Sequence, residues 1–466
     1  MKKLSYGITS ILLLSMLTAC GGNEGGGSSS KAADAGKTEN TESSTAGAST
    51  AEQPANDEHK LGSKPVTLTF YNTSGTFPDT EFKTLIADPI HAKYPNVTIE
   101  RITPAATTTP EEVLTTHQPD IIYSSSTTHQ KIKRTGAYED LRGLIDQYHF
   151  DTNRIKPILW NYIKELGDNG EILAIPFNAN QHVLYYNKDI FDKFGVEYPT
   201  SEQLTWDQVL EIAKKLTRTE NGVNYVGLSV DHLTGLAKGL GLPILDRETG
   251  NAALDTPEWH RIFELEKQIS EIPGYVSPDG VWDYGRDQFM KDQTVGMRVT
   301  WLANMVGPLE ELRQQGVEFN WDIAPAPNFE DQLGKTREAQ IHSLSVNSQS
   351  KHKEEAFQVI AEILSDEGQR ILSRNGRVPA ITNPELEKEY GLDIPVLQGK
   401  TVQNVFVGEP LQEHYFHPYE TEISKRLNEA AADLAINGLD VNSAIRKATD
   451  AINKDVESLR TTIGVK

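Results

Sequence analysis

The side chains able to do chemistry fall into a few groups. Near the C-terminus, His414 and His417 form an H-x-x-H pair flanked by Glu413 and Glu420, residue types that could ligate a divalent metal. Pro418 follows His417 and disfavours helical backbone there, so the two imidazoles are not expected on one helical face. The pair is read as structural, with no metal and no cofactor. The 66 acidic residues supply many carboxylate pairs of the glycosidase kind, but sequence does not set the separation that such chemistry needs. No G-x-S-x-G elbow, P-loop or H-E-x-x-H is present. Hydrogen-bonding chemistry remains: Asn72 ends the run "VTLTFYN" and Thr73, Ser74 and Gly75 follow it, while Ser124 and Ser125 end "PDIIYSS" and Ser126 follows. Such residues also serve as turn and N-cap groups, so both uses stay open.

Those residues need strands to position them. Val66 to Asn72, Val97 to Ile102 and Pro119 to Ser125 are β-branched and aromatic runs, with a helical segment predicted over about 79–93. Strand and helix alternating in this order predict parallel pairing with right-handed crossovers. In such sheets ligands sit beyond the carboxyl ends of the strands, where the polar residues fall. Farther on, Thr205 and Gln208 make a T-x-x-Q capping box ahead of Val209, Ile212, Ala213 and Leu216 at helical spacing. Pro257 opens a helix after Asp255 and Thr256. Ala356, Phe357, Ile360, Ile363 and Leu364 face a core, and Gly376 ends the helix that follows. The last sixty-odd residues read as two helices broken at Asn437-Gly438. The class is α/β with an α-rich C-terminus.

Cys20 is the one cysteine of 466 residues, which excludes disulfides and cysteine-ligated metals. Lys2 and Lys3, an apolar run from Ile8 to Leu17, and small Thr18 and Ala19 precede it, the layout of a secretory signal peptide. Leu17-Thr18-Ala19-Cys20 resembles a bacterial lipobox, which implies cleavage before Cys20 and lipidation of its thiol. Two acyl chains are about what firm anchoring takes. From Gly21 to about Ser63 there is no aromatic and almost no aliphatic residue, so this stretch is expected to be a disordered tether, roughly 35–40 Å end to end as a flexible coil. A formal charge of -21 argues against nucleic acid as a partner.

Several ordered segments resemble the family 1 extracellular solute-binding proteins, relatives of maltose-binding protein. They are "PDIIYSS", "GAYEDLRGLI", "LYYNKDIFDKFGVEYPTSEQLTWDQVLEIAKKL", "DQTVGMRVTW", "WDIAPAP" and "LSVNSQSKHKEEAFQVIAEILSDEGQRILSRNGRVPA". The resemblance as a whole spans roughly Val66 to Ile463. The resemblance implies a two-lobed, type II periplasmic-binding-protein fold with a ligand cleft between α/β lobes and hinge closure on a solute. It places a signal peptide over 1–19, the lipidated cysteine and tether over 20–64, a first lobe over 65–177 plus about 341–400, and a second over about 178–340 plus about 401–466. Crossings are expected near Pro176 to His182 and Pro325 to Ile341, with the C-terminal helices mainly on the second lobe.

The same resemblance implies the site. Sugar sites pair aromatic faces with planar polar groups. Trp301, after "VGMRV", is the candidate stacking residue, and Asn180 and Gln181 in "NANQH" the candidate hydrogen-bonding pair. Asn72, Ser74, Ser124 and Ser125 line the first lobe's strand ends. Trp282, Tyr284 and Arg286 are candidates for the second-lobe wall, with Phe289 in the core, and Tyr415 or Phe416 for another cleft aromatic. Arg377 either reaches the cleft or pairs with an acid. Where sugar-binding relatives often carry an aromatic or acid after the third strand, this chain has Ser-Ser-Ser-Thr-Thr, which weakens any specific sugar contact there. The expected protein is a monomeric, lipid-anchored receptor on the outer face of the cell membrane. It passes a carbohydrate, as an oligosaccharide, to an ABC permease and performs no catalysis. A glycan-active enzyme and a sensor or adhesin on the same fold are the alternatives.

Overall fold

The computed structural model describes residues 60–463 other than 75, 76, 106 and 318. Cys20, the signal peptide, most of the tether and Gly75 lie outside the described residues. Among the described residues, thirteen strands follow in chain order: β1 (Val66–Asn72), β2 (Val97–Arg101), β3 (Ile121–Ser125), β4 (Ile175–Asn180), β5 (His182–Asn187), β6 (Arg218–Glu220), β7 (Val223–Val230), β8 (Val295–Trp301), β9 (Trp321–Pro325), β10 (Lys335–Glu338), β11 (Gln340–Val346), β12 (Val378–Pro379) and β13 (Glu409–Leu411).

They build one sheet for each lobe and a small ribbon between. The first sheet runs β12-β4-β11-β3-β1-β2 and the second β6-β7-β8-β5-β9, while β10 pairs with β13. β1 is parallel to β2 and β3, as the alternation of strands and helices predicts. β11 returns antiparallel between β3 and β4. The chain changes sheet across a single residue, Gln181, between β4 and β5. It comes back through β9, β10 and β11, and leaves again after β12.

Local signals account for most helices. Residues 79–93 are helical throughout, but Lys83–Ala87 widen to a π-turn just ahead of Asp88-Pro89. Pro89 lacks an N–H and its ring crowds the preceding turn, and the wider turn accommodates both. Thr205 and Gln208 close both halves of the capping box on Trp206–Leu216. That helix lies close on its sheet because β7 and β8 carry glycine beneath it: a Cβ on Gly227 would sit 2.1 Å from Ala213 O. Gly438, at φ +69, turns the chain between Lys425–Ala435 and Val441–Ile463. Both of those helices pack on Pro257–Ser270 of the second lobe. Below the first sheet, Phe70, Phe77, Tyr123 and Phe177 form an aromatic core, with Phe77 and Tyr123 stacked at 4.5 Å.

Candidate ligand-binding cleft

A cleft of about 730 Å³ lies between the lobes. The first lobe supplies Pro78 and Glu81, from the start of the helical segment after β1. The second supplies Asp231 just after β7, Arg298, Thr300 and Trp301 on β8, and Asn304 on the helix Ala303–Gln314.

The floor is a charged lattice whose members are mostly paired. Arg298 Nη2 donates to Asp231 Oδ1 at 2.8 Å, and Thr300 Oγ1 donates to Asp231 Oδ2 at 2.7 Å. Arg298 also donates to Ser229 Oγ and to the Tyr284 carbonyl. Asp231 keeps a quarter of its side chain open to the cleft, so lone pairs remain for a solute hydroxyl. Lys238 Nζ bonds Glu338 Oε2 at 2.9 Å and sits 5.6 Å from the Trp301 ring centre. On the opposite wall Glu81 pairs with Arg377, whose guanidinium lies 5.6 Å from the Phe77 ring centre. Arg286 lies beside Asp287 at 3.7 Å. The two largely buried cations that line the cleft, Lys238 and Arg298, therefore each face a carboxylate, while half-exposed Arg286 shares Asp287 with Lys291.

This interlobe geometry suits non-covalent capture, and the sequence match is decisive: residues 78–370 fit the model of the bacterial extracellular solute-binding proteins. The chain belongs to that family.

This solute-binding protein has solved counterparts with the same two-lobed, type II fold. A sugar transporter from Rhizobium etli in an open conformation is 22% identical with a TM-score of 0.66, over 83% of this chain and 99% of that one. An ABC substrate-binding protein from Listeria monocytogenes in complex with cycloalternan is 20% identical with a TM-score of 0.64, over 84% and 100%. Among curated relatives, an sn-glycerol-3-phosphate-binding periplasmic protein of Brucella abortus is 26% identical over 195 residues, 39% of this chain and 42% of that protein. The chain spans about half the length of the curated relatives it matches.

Of the sequence-named candidates, Trp301 lines the solute-binding protein's cleft. Its ring lies against His182, with centroids 3.7 Å apart. Arg377 pairs with an acid: it is buried behind the first-lobe wall and holds Glu81, which lines the cleft, while Arg377 itself does not. Arg286 also lines the cleft, and the remaining candidates sit elsewhere. Asn180 is buried, accepting from Ala303 N at 3.1 Å and donating to Gln340 at 3.3 Å, so it ties the crossing to the helix after Trp301. Gln181 is buried in that crossing, its carbonyl accepting from Leu302 N. Asn72 makes an Asx turn with Ser74 N at 2.8 Å. Ser124 bonds Ser343 in the core, and Ser125 caps Ser126–Thr135.

Trp282 packs on His232 at 4.6 Å, ahead of the short helix Arg286–Met290 whose first residue lines the cleft. Tyr284 is buried, its hydroxyl donating to the Tyr275 carbonyl, and Phe289 is core. Tyr415 stacks under Arg247 at 4.3 Å in a separate depression. Phe416 is buried against His414. His414 is held by Glu338 and Glu420 while His417 lies against Tyr419, and among the described residues no three His, Cys, Asp or Glu side chains could hold a metal.

Glu81, Asp231, Lys238, Arg298 and Thr300 were not among the sequence candidates. Asp231 had a signal: it directly follows the apolar strand "VGLSV", where parallel sheets place ligand contacts. Arg298 and Thr300 share one face of β8 by the period of two.

Proposed function

We propose that this solute-binding protein is an extracellular, lipid-anchored receptor for an uncharged saccharide, an oligosaccharide, which it hands to an ABC permease. One observation carries the choice of solute: Trp301 stands beside an Asp231–Arg298–Thr300 hydrogen-bonding group in a cleft whose largely buried cations, Lys238 and Arg298, are each matched by a carboxylate. An aromatic face and fixed acceptors suit a pyranose. A phosphate would need an unmatched cation in the buried floor, so this cleft disfavours ligands like that named for the glycerol-phosphate relative. The cycloalternan bound to the Listeria neighbour supports the same reading.

In this proposal the first lobe comprises 65–177 and about 341–400, the second about 178–340 and about 401–466, and the protein acts as a monomer without catalysis. The division of strands between the two sheets supports those bounds. The lipobox supports attachment through Cys20, and no described helix is long and apolar enough to cross a membrane.

The test is thermal unfolding of the mature chain against a panel of neutral oligosaccharides, sugar phosphates and polyols, then calorimetry on the hits. A ligand at 100 times its Kd adds about 2.7 kcal/mol of stability. A neutral oligosaccharide should stabilise. Stabilisation by sugar phosphates alone, or turnover of a glycan, would defeat the proposal. Metabolic labelling with a fatty acid should mark the wild-type chain and not Cys20→Ala.

A further inference from the structure

Beneath Trp301 lies a buried charge cluster that solute contact does not explain. His414 donates to Glu338 Oε1 at 2.8 Å and to Glu420 Oε1. Lys238 bonds Glu338 and stands 3.8 Å from Glu413 Oε1. The parts come from both lobes and the crossing between them. Lys238 follows the second-lobe helix His232–Ala237, and Glu338 is the last residue of β10. Glu413 Oε2 accepts from the backbone N–H of Ile341 on β11 of the first sheet at 3.1 Å. The hydroxyl of Ser126, on the first-lobe helix, faces the same carboxyl, and buried Tyr162 of Pro157–Leu166 lies within its field. Glu413 thus touches both lobes at the place where the chain crosses.

The charges balance without it. Lys238 and His414 are two cations, and Glu338 and Glu420 are two carboxylates, all largely buried. An ionised Glu413 would be a third carboxylate with no cation of its own, and its Oε1 is buried without a hydrogen-bond partner. A buried, unmatched charge is costly, and admitting water relieves it.

We propose that Glu413 is a proton-operated latch: protonated, it lets the lobes stay packed at the crossing, and ionised, it drives the junction toward a looser, hydrated arrangement. This goes beyond the receptor reading and needs no solute. Burial, outweighing the attraction of Lys238 and aided by repulsion from Glu338, pushes the Glu413 carboxyl from an ordinary 4.5 up to about 7. Its value in a hydrated junction returns toward 4.5, so packing takes up a proton. The packed form is then fully favoured below 4.5, and its population relative to the loose form falls up to tenfold per pH unit until about pH 7. Above that it levels off.

Infrared spectroscopy and small-angle scattering of the mature chain across this pH range test the latch. A neutral-carboxyl band should fade with a midpoint near pH 7 and be missing in Glu413→Gln, which keeps an amide oxygen for Ile341 N–H. The scattering radius should grow over the same interval in the wild type and stay flat in the variant. A band that survives Glu413→Gln, or a wild-type radius that ignores pH, would overturn the proposal. Should the variant not fold, the wild type decides alone: no carboxyl titrating near pH 7 refutes it. Neither readout uses a saccharide, so failure here leaves the receptor reading standing.

Discussion

His182 and Trp301 are direct cross-strand partners on β5 and β8, and their rings lie 3.7 Å apart. His182 is the first residue of β5 after the crossing, and Trp301 is the last residue of its strand, at the cleft. The stacking candidate is thereby braced by the crossing itself. Burial, with the nearby Arg337 and Lys238 charges, holds the His182 imidazole well below its ordinary range.

Trp301→Ala should weaken binding of the identified saccharide at least tenfold, about 1.4 kcal/mol, by calorimetry. His182→Ala should weaken it less, by loosening the brace. Because His182 stays neutral, the loss in Trp301→Ala should be the same at mildly acidic and mildly alkaline pH. A loss that titrates with histidine would contradict this.

Asp231 neutralises Arg298 and lies near buried Arg337, whose three nitrogens have no hydrogen-bond partner. Asp231→Asn should therefore destabilise the fold by about 3–5 kcal/mol in denaturant titration, since it strands buried cations. The same variant should gain affinity for a sugar phosphate, because Arg298 is no longer matched. Unchanged selectivity would show that charge pairing does not set solute class.

Burial would lower the His414 pKa, but Glu338 and Glu420 outweigh it and raise it from 6.5 to about 10. A raised folded value stabilises fully below 6.5 and loses its contribution as pH rises through about 10. Each unit of such a shift is worth about 1.4 kcal/mol. His414→Gln should thus cost most stability at and below neutral pH and little near pH 10, by thermal melts across pH.

Gly227→Ala should cost about 1–3 kcal/mol by overpacking, because the helix Trp206–Leu216 occupies the position of the added methyl. The readout is the urea midpoint at constant slope. Solute affinity per folded molecule should be unaffected.

What the sequence disclosed follows the range of the interaction. Thr205 with Gln208, Thr256 before Pro257, and Gly376 act within a turn or two, and the caps and helix end stand where those residues place them. The parallel set β1, β2 and β3 was legible because each strand is a separate apolar run. The cleft was harder to read. Asp231 meets Arg298 across 67 residues, and Glu81 meets Arg377 across 296, with no local pattern to announce either. Ser124 and Asn180 have the residue types of a sugar site but spend their side chains inside the protein. Residue type identifies a capacity to hydrogen-bond, and only packing assigns the partner.

The single-residue step at Gln181 limits how such a protein can diversify. Side chains on a strand alternate between faces, so one residue inserted or deleted there would exchange the two faces of everything downstream in register. His182, Leu184 and Tyr186 would trade places with Val183 and Tyr185, and the histidine beneath Trp301 would be lost. New specificities on this scaffold must come by substitution along the strands or by lengthening outer loops, while this junction keeps its length.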